Sequence, residues 1–151
     1  MHMHLLIVTG SSAPTLPCIC ATLRRASRAI SQLYEDELRP LGLRVTQLTI
    51  LQLLSLAGEV TQGELGHMLA MDSTTLTRTL AIMVRNGWIT KRQGEDRREW
   101  RIRLSKPGEA QLKCALPQWQ KAQTKLRTQL GDELCENLLK LSNKVTNAVT
   151  A

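Results

Sequence analysis

Apolar positions follow the helical period over most of this chain. Ile19, Leu23, Ala26, Ile30 and Leu33 step by four and three, which sets them on one face of a helix. Pro40, Leu41 and Gly42 break that period and predict the helix end. Residues 46–57 (TQLTILQLLSLA) are nearly all apolar and predict a buried helix. A short helix, TQGELGHML, follows, with Thr61 and Glu64 spaced as a capping box. Ala70 and Met71 form a tight connection to Asp72, a residue type that caps helices by accepting from free first-turn amides. Leu76, Leu80, Met83 and Val84 mark the inner face of the helix that Asp72 begins, and Asn86 with Gly87 supplies a left-handed stop.

The period then shortens to two. Residues 88–92 and 100–104 alternate apolar and polar as half-buried strands do, joined by a turn at Gly94, Glu95 and Asp96. Helical spacing returns from 107 to 130, with a break or bend expected at Pro117. The last helix begins at Asp132 and carries Leu134, Leu138, Leu141, Val145 and Ala148 at steps of four and three. The predicted fold is mainly α with a small β-hairpin wing. A winged helix-turn-helix lobe spans 44–105, flanked by helices at 18–40 and 107–148 whose narrow apolar seams predict pairing with a second copy. Residues 1–17, with Gly10, Ser11, Ser12, Pro14 and Pro17, read as a flexible tail.

Composition narrows the chemistry. The 151 residues carry 20 Lys and Arg against 13 Asp and Glu, a formal net charge of +7, which favours polyanionic partners. Phe is absent and Tyr occurs once, so the core is aliphatic and suits helices. Four cysteines are too few and scattered for a disulfide-stapled fold, no apolar run reaches a membrane span, and the N-terminus lacks a signal peptide's basic region. The expected location is the cytoplasm. No convergent nucleophile and base, and no phosphate loop, points to an enzyme, and no cofactor is called for.

Residues 72–104 carry the function. On the helix after Asp72, Ser73, Thr74, Thr75, Thr77 and Arg78 offer hydroxyls, methyls and a guanidinium to base edges, the currency of major-groove reading. Threonine is a mediocre helix former, so three in one stretch cost stability unless another role favours them. In the hairpin, Lys91, Arg92 and Arg97 are placed for phosphates, and Thr61 and Gln62 open the preceding helix, whose N-terminus also suits a phosphate.

The stretches TQLTILQLL, TQGELGHMLAMDSTTLTRTLAIMVRNGWITKR and GEDRREWRIRLSKPGEAQL, in this order and spacing, resemble the MarR family of dimeric bacterial regulators over roughly residues 18–148. The wing is the most specific element: Asp96-x-Arg98, a strand, then Leu104-Ser-Lys-Pro-Gly108 is similar to the family's D-x-R…LT-x-x-G pattern. The resemblance implies that Asp96 orients Arg98 and that Arg98 enters a minor groove. It also implies a homodimeric repressor on a pseudo-palindromic double-stranded operator; the basic charge leaves a non-specific basic nucleic-acid-binding protein as the alternative.

Two kinds of signal are consistent with the residues. The family's effector pocket implies a small aromatic ligand, for which Arg24, Arg28, Tyr34 and Gln47 are the available polar lining. Cys20 and Tyr34 resemble the spacing in the peroxide-sensing, OhrR-like branch, and Arg24 and Arg25 could stabilise a Cys20 thiolate. Against that branch, Arg24 stands four residues after the cysteine where it has an aromatic phenol, and Arg44-Val45 replaces a second tyrosine. Cys18 and Cys20 are otherwise small packing residues. A Cys-x-Cys pair, even with His2 or His4, lacks the second ligand pair of a zinc site, so no metal is expected. Cys114 and Cys135 read as helix packing, His67 as a surface residue.

Overall fold

The computed structural model describes residues 16–150. The expected tail lies mostly outside them. Helix α1 (Ile19–Leu38) runs into a single 3-10 turn (Arg39–Leu41) that closes on Gly42 in the left-handed region, φ 64°. There follow α2 (Val45–Ala57), β1 (Val60–Thr61), α3 (Gln62–Leu69), α4 (Ser73–Arg85), β2 (Ile89–Gln93), β3 (Trp100–Leu104), α5 (Lys106–Leu130) and α6 (Asp132–Val149).

The core belongs to the middle of the chain. Leu48, Ile50, Leu51 and Leu54 of α2 meet Leu65 of α3, Leu76, Leu80 and Met83 of α4, Ile89 of β2 and Ile102 of β3, all buried. Val84, expected among them, is exposed. The packed stripe of α4 follows 76, 80 and 83, and Val84 sits on its shoulder in the last turn. The sheet is antiparallel in the order β1-β3-β2, with Lys91 opposite Ile102 and Gln93 opposite Trp100. Strand β1, two residues long, pairs Val60 with Ile102 and was not anticipated.

The wing is stitched back to α4 where α5 begins. Ser105 caps α5 by accepting from the Gly108 amide at 3.0 Å, and its hydroxyl donates to the Gly87 carbonyl. A Cβ on Gly108 would stand 1.8 Å from the Trp88 carbonyl oxygen, so only glycine allows this approach. Of the break or bend expected at Pro117, the break does not occur: helix α5 runs through it as one helix. Pro117 is exposed while Leu112 and Ala115 stay packed in the core, so α5 loses a backbone hydrogen bond there without losing its seat on the lobe.

The terminal helices differ. Leu38 is the buried residue of α1 and Cys135 that of α6. Cys114, expected to pack, is exposed on α5. No helix among the described residues is long and apolar enough to cross a membrane.

Candidate nucleic-acid interface

Helices α3 and α4 form the helix-turn-helix. Thr61 caps α3 by accepting from Glu64 N–H at 3.0 Å, while the Glu64 carboxylate returns to the Thr61 amide at 3.3 Å. The connection turns at Ala70, a non-glycine residue at φ 50°, and Met71 N–H closes on the Gly66 carbonyl at 3.0 Å. The crossing is close at Gly66, where a Cβ would stand in van der Waals contact, 3.4 Å, with Leu76 and the Met71 carbonyl.

Asp72 starts α4 as expected. Its carboxylate accepts from the Thr75 amide at 3.1 Å and from the Thr75 hydroxyl at 3.0 Å. Those bonds, the hydroxyl's first, hold the carboxyl below its ordinary value, with Arg78 assisting. The recognition hydroxyls are therefore not equivalent. Thr75 is engaged by its cap, and Thr77 accepts from Gln62 Nε2 at 2.9 Å, tying α3 to α4. Ser73, Thr74 and Arg78 are exposed on the same helix, and no side-chain hydrogen bond occupies them among the described residues.

The wing tip is shaped by backbone bonds. Gly94 N–H donates to the Glu99 carbonyl at 2.8 Å, and Glu99 N–H to the Asp96 carbonyl at 2.9 Å. The Gln93 amide reaches the Arg97 carbonyl at 2.7 Å. Asp96 accepts from the Arg98 backbone amide at 3.0 Å, while its oxygen lies 3.6 Å from the Arg98 guanidinium. Asp96 thus orients Arg98 chiefly through the turn, and the Arg98 side chain is left 93% exposed.

The hairpin basic residues separate by face. Lys91 stacks over Trp100, its ammonium 5.0 Å from the ring centroid. On the opposite face Arg92 Nε lies 2.7 Å from Glu59 Oε1, with the Arg92 side chain still 61% exposed. Arg97 is exposed at the tip.

A groove of about 720 Å³ runs between the helix-turn-helix and the wing. Thr61, Gln62 and Thr77 form one side, and Lys91, Arg98 and Trp100 the other. Trp100 was not among the expected site residues. The alternation of β3 carries the signal: Trp100 shares a face with buried Ile102 but lies two residues nearer the tip, beyond the core's edge.

The four residues expected to line an effector pocket are not brought together. Gln47 is buried, and its side-chain oxygen accepts from the Arg44 amide at 2.9 Å as part of the start of α2. Arg24 and Arg28 are exposed on α1, about 15 Å and 9 Å along the helix axis from Tyr34 at 1.5 Å per residue. Tyr34 instead donates to Gln123 of α5. Cys20 is exposed on the first turn of α1, roughly 21 Å along the same axis from Tyr34, too far for a hydrogen bond within one chain. Cys18 is the N-cap of α1, its sulfur accepting from Ala21 N–H at 3.5 Å.

Fold and site together define a winged helix-turn-helix protein with a hydroxyl-bearing recognition helix and a basic wing. The MarR family model matches residues 43–100, the helix-turn-helix and most of the wing. Transcriptional regulator MosR of M. tuberculosis, in a structure in complex with DNA, is 35% identical, with 87% of this chain and 98% of that one covered and a TM-score of 0.75. YwoH, an uncharacterized HTH-type transcriptional regulator of Bacillus subtilis strain 168, is 36% identical over 58% of this chain. The alignment spans 64% of YwoH, just short of two thirds. A mutant MarR from E. coli complexed with operator DNA shares the fold, with a TM-score of 0.75 at 24% identity, 84% of this chain and 92% of that one being covered. The chain belongs to the MarR family, and it is a transcriptional regulator rather than an enzyme.

Proposed function

We propose that the protein acts in the cytoplasm as a homodimeric repressor, binding a pseudo-palindromic double-stranded operator and leaving it when a signal reaches the helical arms. The observation that carries this reading is the shared groove. Ser73, Thr74 and Arg78 stand unengaged on α4, Arg98 projects from the wing, and polar and cationic groups line the space between. Such an arrangement suits α4 in a major groove with the wing following the backbone into the adjacent minor groove. Two copies would set half-sites about one helical turn, ~10 bp, apart.

The arms support the dimer. Ile19 is 80% exposed, Leu141 59% and Val149 78%, on helices whose opposite sides pack within the chain. Uncovered apolar surface of this extent on two terminal helices marks an interaction face. Conformational release would follow from any signal that favours a lobe separation mismatched to the half-site spacing. A small aromatic effector and oxidation of Cys20 with Cys18 both remain consistent with the arms, since both cysteines are exposed on α1.

The test is a mobility-shift titration on the DNA upstream of the protein's own gene, against a scrambled duplex of equal length. The expected preference is on the order of 10³-fold or more. Equal affinity for both duplexes would instead make the protein a non-specific basic nucleic-acid binder. Arg98→Ala is expected to weaken operator binding by about tenfold or more, equivalent to one good groove contact, with the protein's size in solution unchanged. Undiminished affinity would remove the wing from the interface.

A further inference from the structure

Helical threonines in this chain commonly spend their hydroxyls on their own helix. Thr49, Thr79, Thr128 and Thr146 each donate to the carbonyl four residues earlier, at 2.9 or 3.0 Å. That bond uses the only hydrogen the group has. Thr77 departs from the pattern. Its Oγ1 accepts from Gln62 Nε2 at 2.9 Å, and among the described residues its hydroxyl makes no bond to the Ser73 carbonyl one turn back.

Both partners are held in place by their own helices. Gln62 opens α3, whose start is set by the reciprocal bonds of Thr61 and Glu64. Thr77 lies one turn into α4, whose start is set by Asp72. Leu76 and Leu80 of the same helix are buried, so α4 cannot rotate Thr77 away without unpacking the core. Gln62 is half-buried, Thr77 is exposed, and both line the groove between the helix-turn-helix and the wing.

The direction of this bond decides what Thr77 can offer. A hydroxyl that accepts an N–H keeps its own hydrogen for a third group, and accepting polarises the O–H into a better donor. In a major groove, guanine and thymine present exocyclic carbonyl oxygens, O6 and O4, whereas adenine and cytosine present exocyclic amino groups, N6 and N4. An outward donor matches a carbonyl and meets an amino group hydrogen against hydrogen.

We propose that Gln62 is a positioning residue for base recognition. By donating to Thr77 it commits the Thr77 hydroxyl to donate outward, so that α4 favours a keto base, guanine or thymine, at one position of each half-site. The proposal rests on the reading of α4 in a major groove and deepens it. Gln62, expected from the sequence to meet a phosphate, gains a second role: it sets the hydrogen-bonding polarity of a residue on the neighbouring helix.

Glutamate reverses that polarity at nearly constant shape, because a carboxylate only accepts. Gln62→Glu takes the Thr77 hydrogen for itself and leaves lone pairs facing outward, which match an amino base. A carboxylate at the first residue of α3 also suits the positive end of the helix, so the variant keeps its fold.

The experiment selects binding sites for the full-length protein from duplexes randomised over about two helical turns. It compares wild type, Gln62→Glu, Gln62→Ala and Thr77→Val, with folding checked by circular dichroism. Thr77→Val locates the position, as the one whose base preference it flattens. There, Gln62→Glu is expected to exchange keto for amino bases on the same strand, by about tenfold, while the other positions keep their order. Gln62→Ala frees the hydroxyl and should reduce the preference to about twofold or less. The new negative charge weakens binding to every duplex through the phosphates, so the measurement is the ratio between bases rather than affinity. Gln62→Glu combined with Thr77→Val should show no exchange.

An unchanged preference in Gln62→Glu overturns the proposal, because it means that the Gln62 oxygen already takes the Thr77 hydrogen. A uniform loss in every variant, with base order kept at all positions, overturns it by making the bond a plain tie between helices. An exchange that survives Thr77→Val overturns it by assigning the contact to residue 62 itself. If wild-type protein selects no sequence at all, the operator reading fails and this proposal falls with it.

Discussion

The lobe and the arms of this protein are built from the same aliphatic residues, and they bury them to opposite extents. In the lobe, α2, α3, α4 and the sheet close around Leu51, Leu65, Leu80, Met83 and Ile102, none more than 1% exposed. In the arms, α6 carries Leu134, Leu139, Leu141, Val145 and Val149 all exposed, and α1 opens with Ile19 and Leu23 in the same condition. Full burial of a Leu, Ile or Val side chain contributes about 1.5–3 kcal/mol, so the lobe realises within one chain what the arms forgo. The lobe closes its apolar surface within one chain, whereas the arms leave an apolar face uncovered. Helix α5 joins the two: Leu112 and Ala115 sit in the lobe core, while Ala122 is buried further along among the arm helices.

That contrast is sharpest at the junction, and so is the largest expected effect. Gly108→Ala would press a Cβ to within 1.8 Å of the Trp88 carbonyl oxygen, and the obstacle is backbone rather than a flexible side chain. The start of α5 must move away from the end of α4, at a cost of about 3 kcal/mol. A urea unfolding midpoint measures it. A loss below about 0.5 kcal/mol would mean that the junction is pliable and the two regions are not rigidly joined.

The next effect concerns the arms alone. Leu141→Asp with Val145→Asp introduces two charges on the exposed stripe of α6. Because these positions lie outside the packed core, the lobe should keep its fold while sedimentation shifts from dimer to monomer across a wide concentration range. Under the proposed two-fold binding mode, operator affinity should then fall steeply, because a separated copy would engage a single half-site. Unchanged sedimentation would place the subunit contact elsewhere. Loss of helical content throughout would show that the stripe supports the monomer itself.

The same contrast explains what could be read from the sequence. Periodicity locates α2, α4, β3 and the seams of α1 and α6, because each shows a regular face over several turns or strand residues. Capping chemistry locates Thr61, Asp72 and Gly87 for a related reason, since those roles depend on neighbours within three or four residues. Strand β1 escaped notice because Val60 and Thr61 form no period by themselves and exist as a strand only through Ile102 and Arg101. Pro117 suggested a break because a local rule ignores the packing of Leu112 and Ala115 that holds α5 in place. The wing residues were legible as a set, but not their division of labour: Arg92 faces Glu59 and Lys91 faces Trp100 because the hairpin's two faces meet different partners. The expected effector residues do not meet within one chain, for a geometric reason. Arg24, Arg28 and Tyr34 lie close in sequence, yet helical rise separates them, and Gln47 is spent on the start of α2.

The smallest effect sharpens the comparison within the lobe, at the start of the recognition helix. Asp72 is exposed, so its worth lies in capping geometry rather than burial, and Asp72→Ala should lower stability measurably. The pH dependence has a definite sign. Hydrogen bonds from the Thr75 hydroxyl and amide lower the folded-state pKa of Asp72 below the unfolded value near 3.8. Such a carboxylate binds its proton more weakly when folded, so its stabilisation is complete above that unfolded value and is lost as pH falls through the lower folded one. Wild-type protein should therefore lose more stability than Asp72→Ala as the pH falls below the unfolded value. Protection of the Thr75 and Leu76 amides from hydrogen exchange should fall in the same window, ahead of the amides of α2. Parallel acid profiles for the two proteins would show that the Thr75 bonds leave Asp72 no easier to ionise in the folded chain than in the unfolded one.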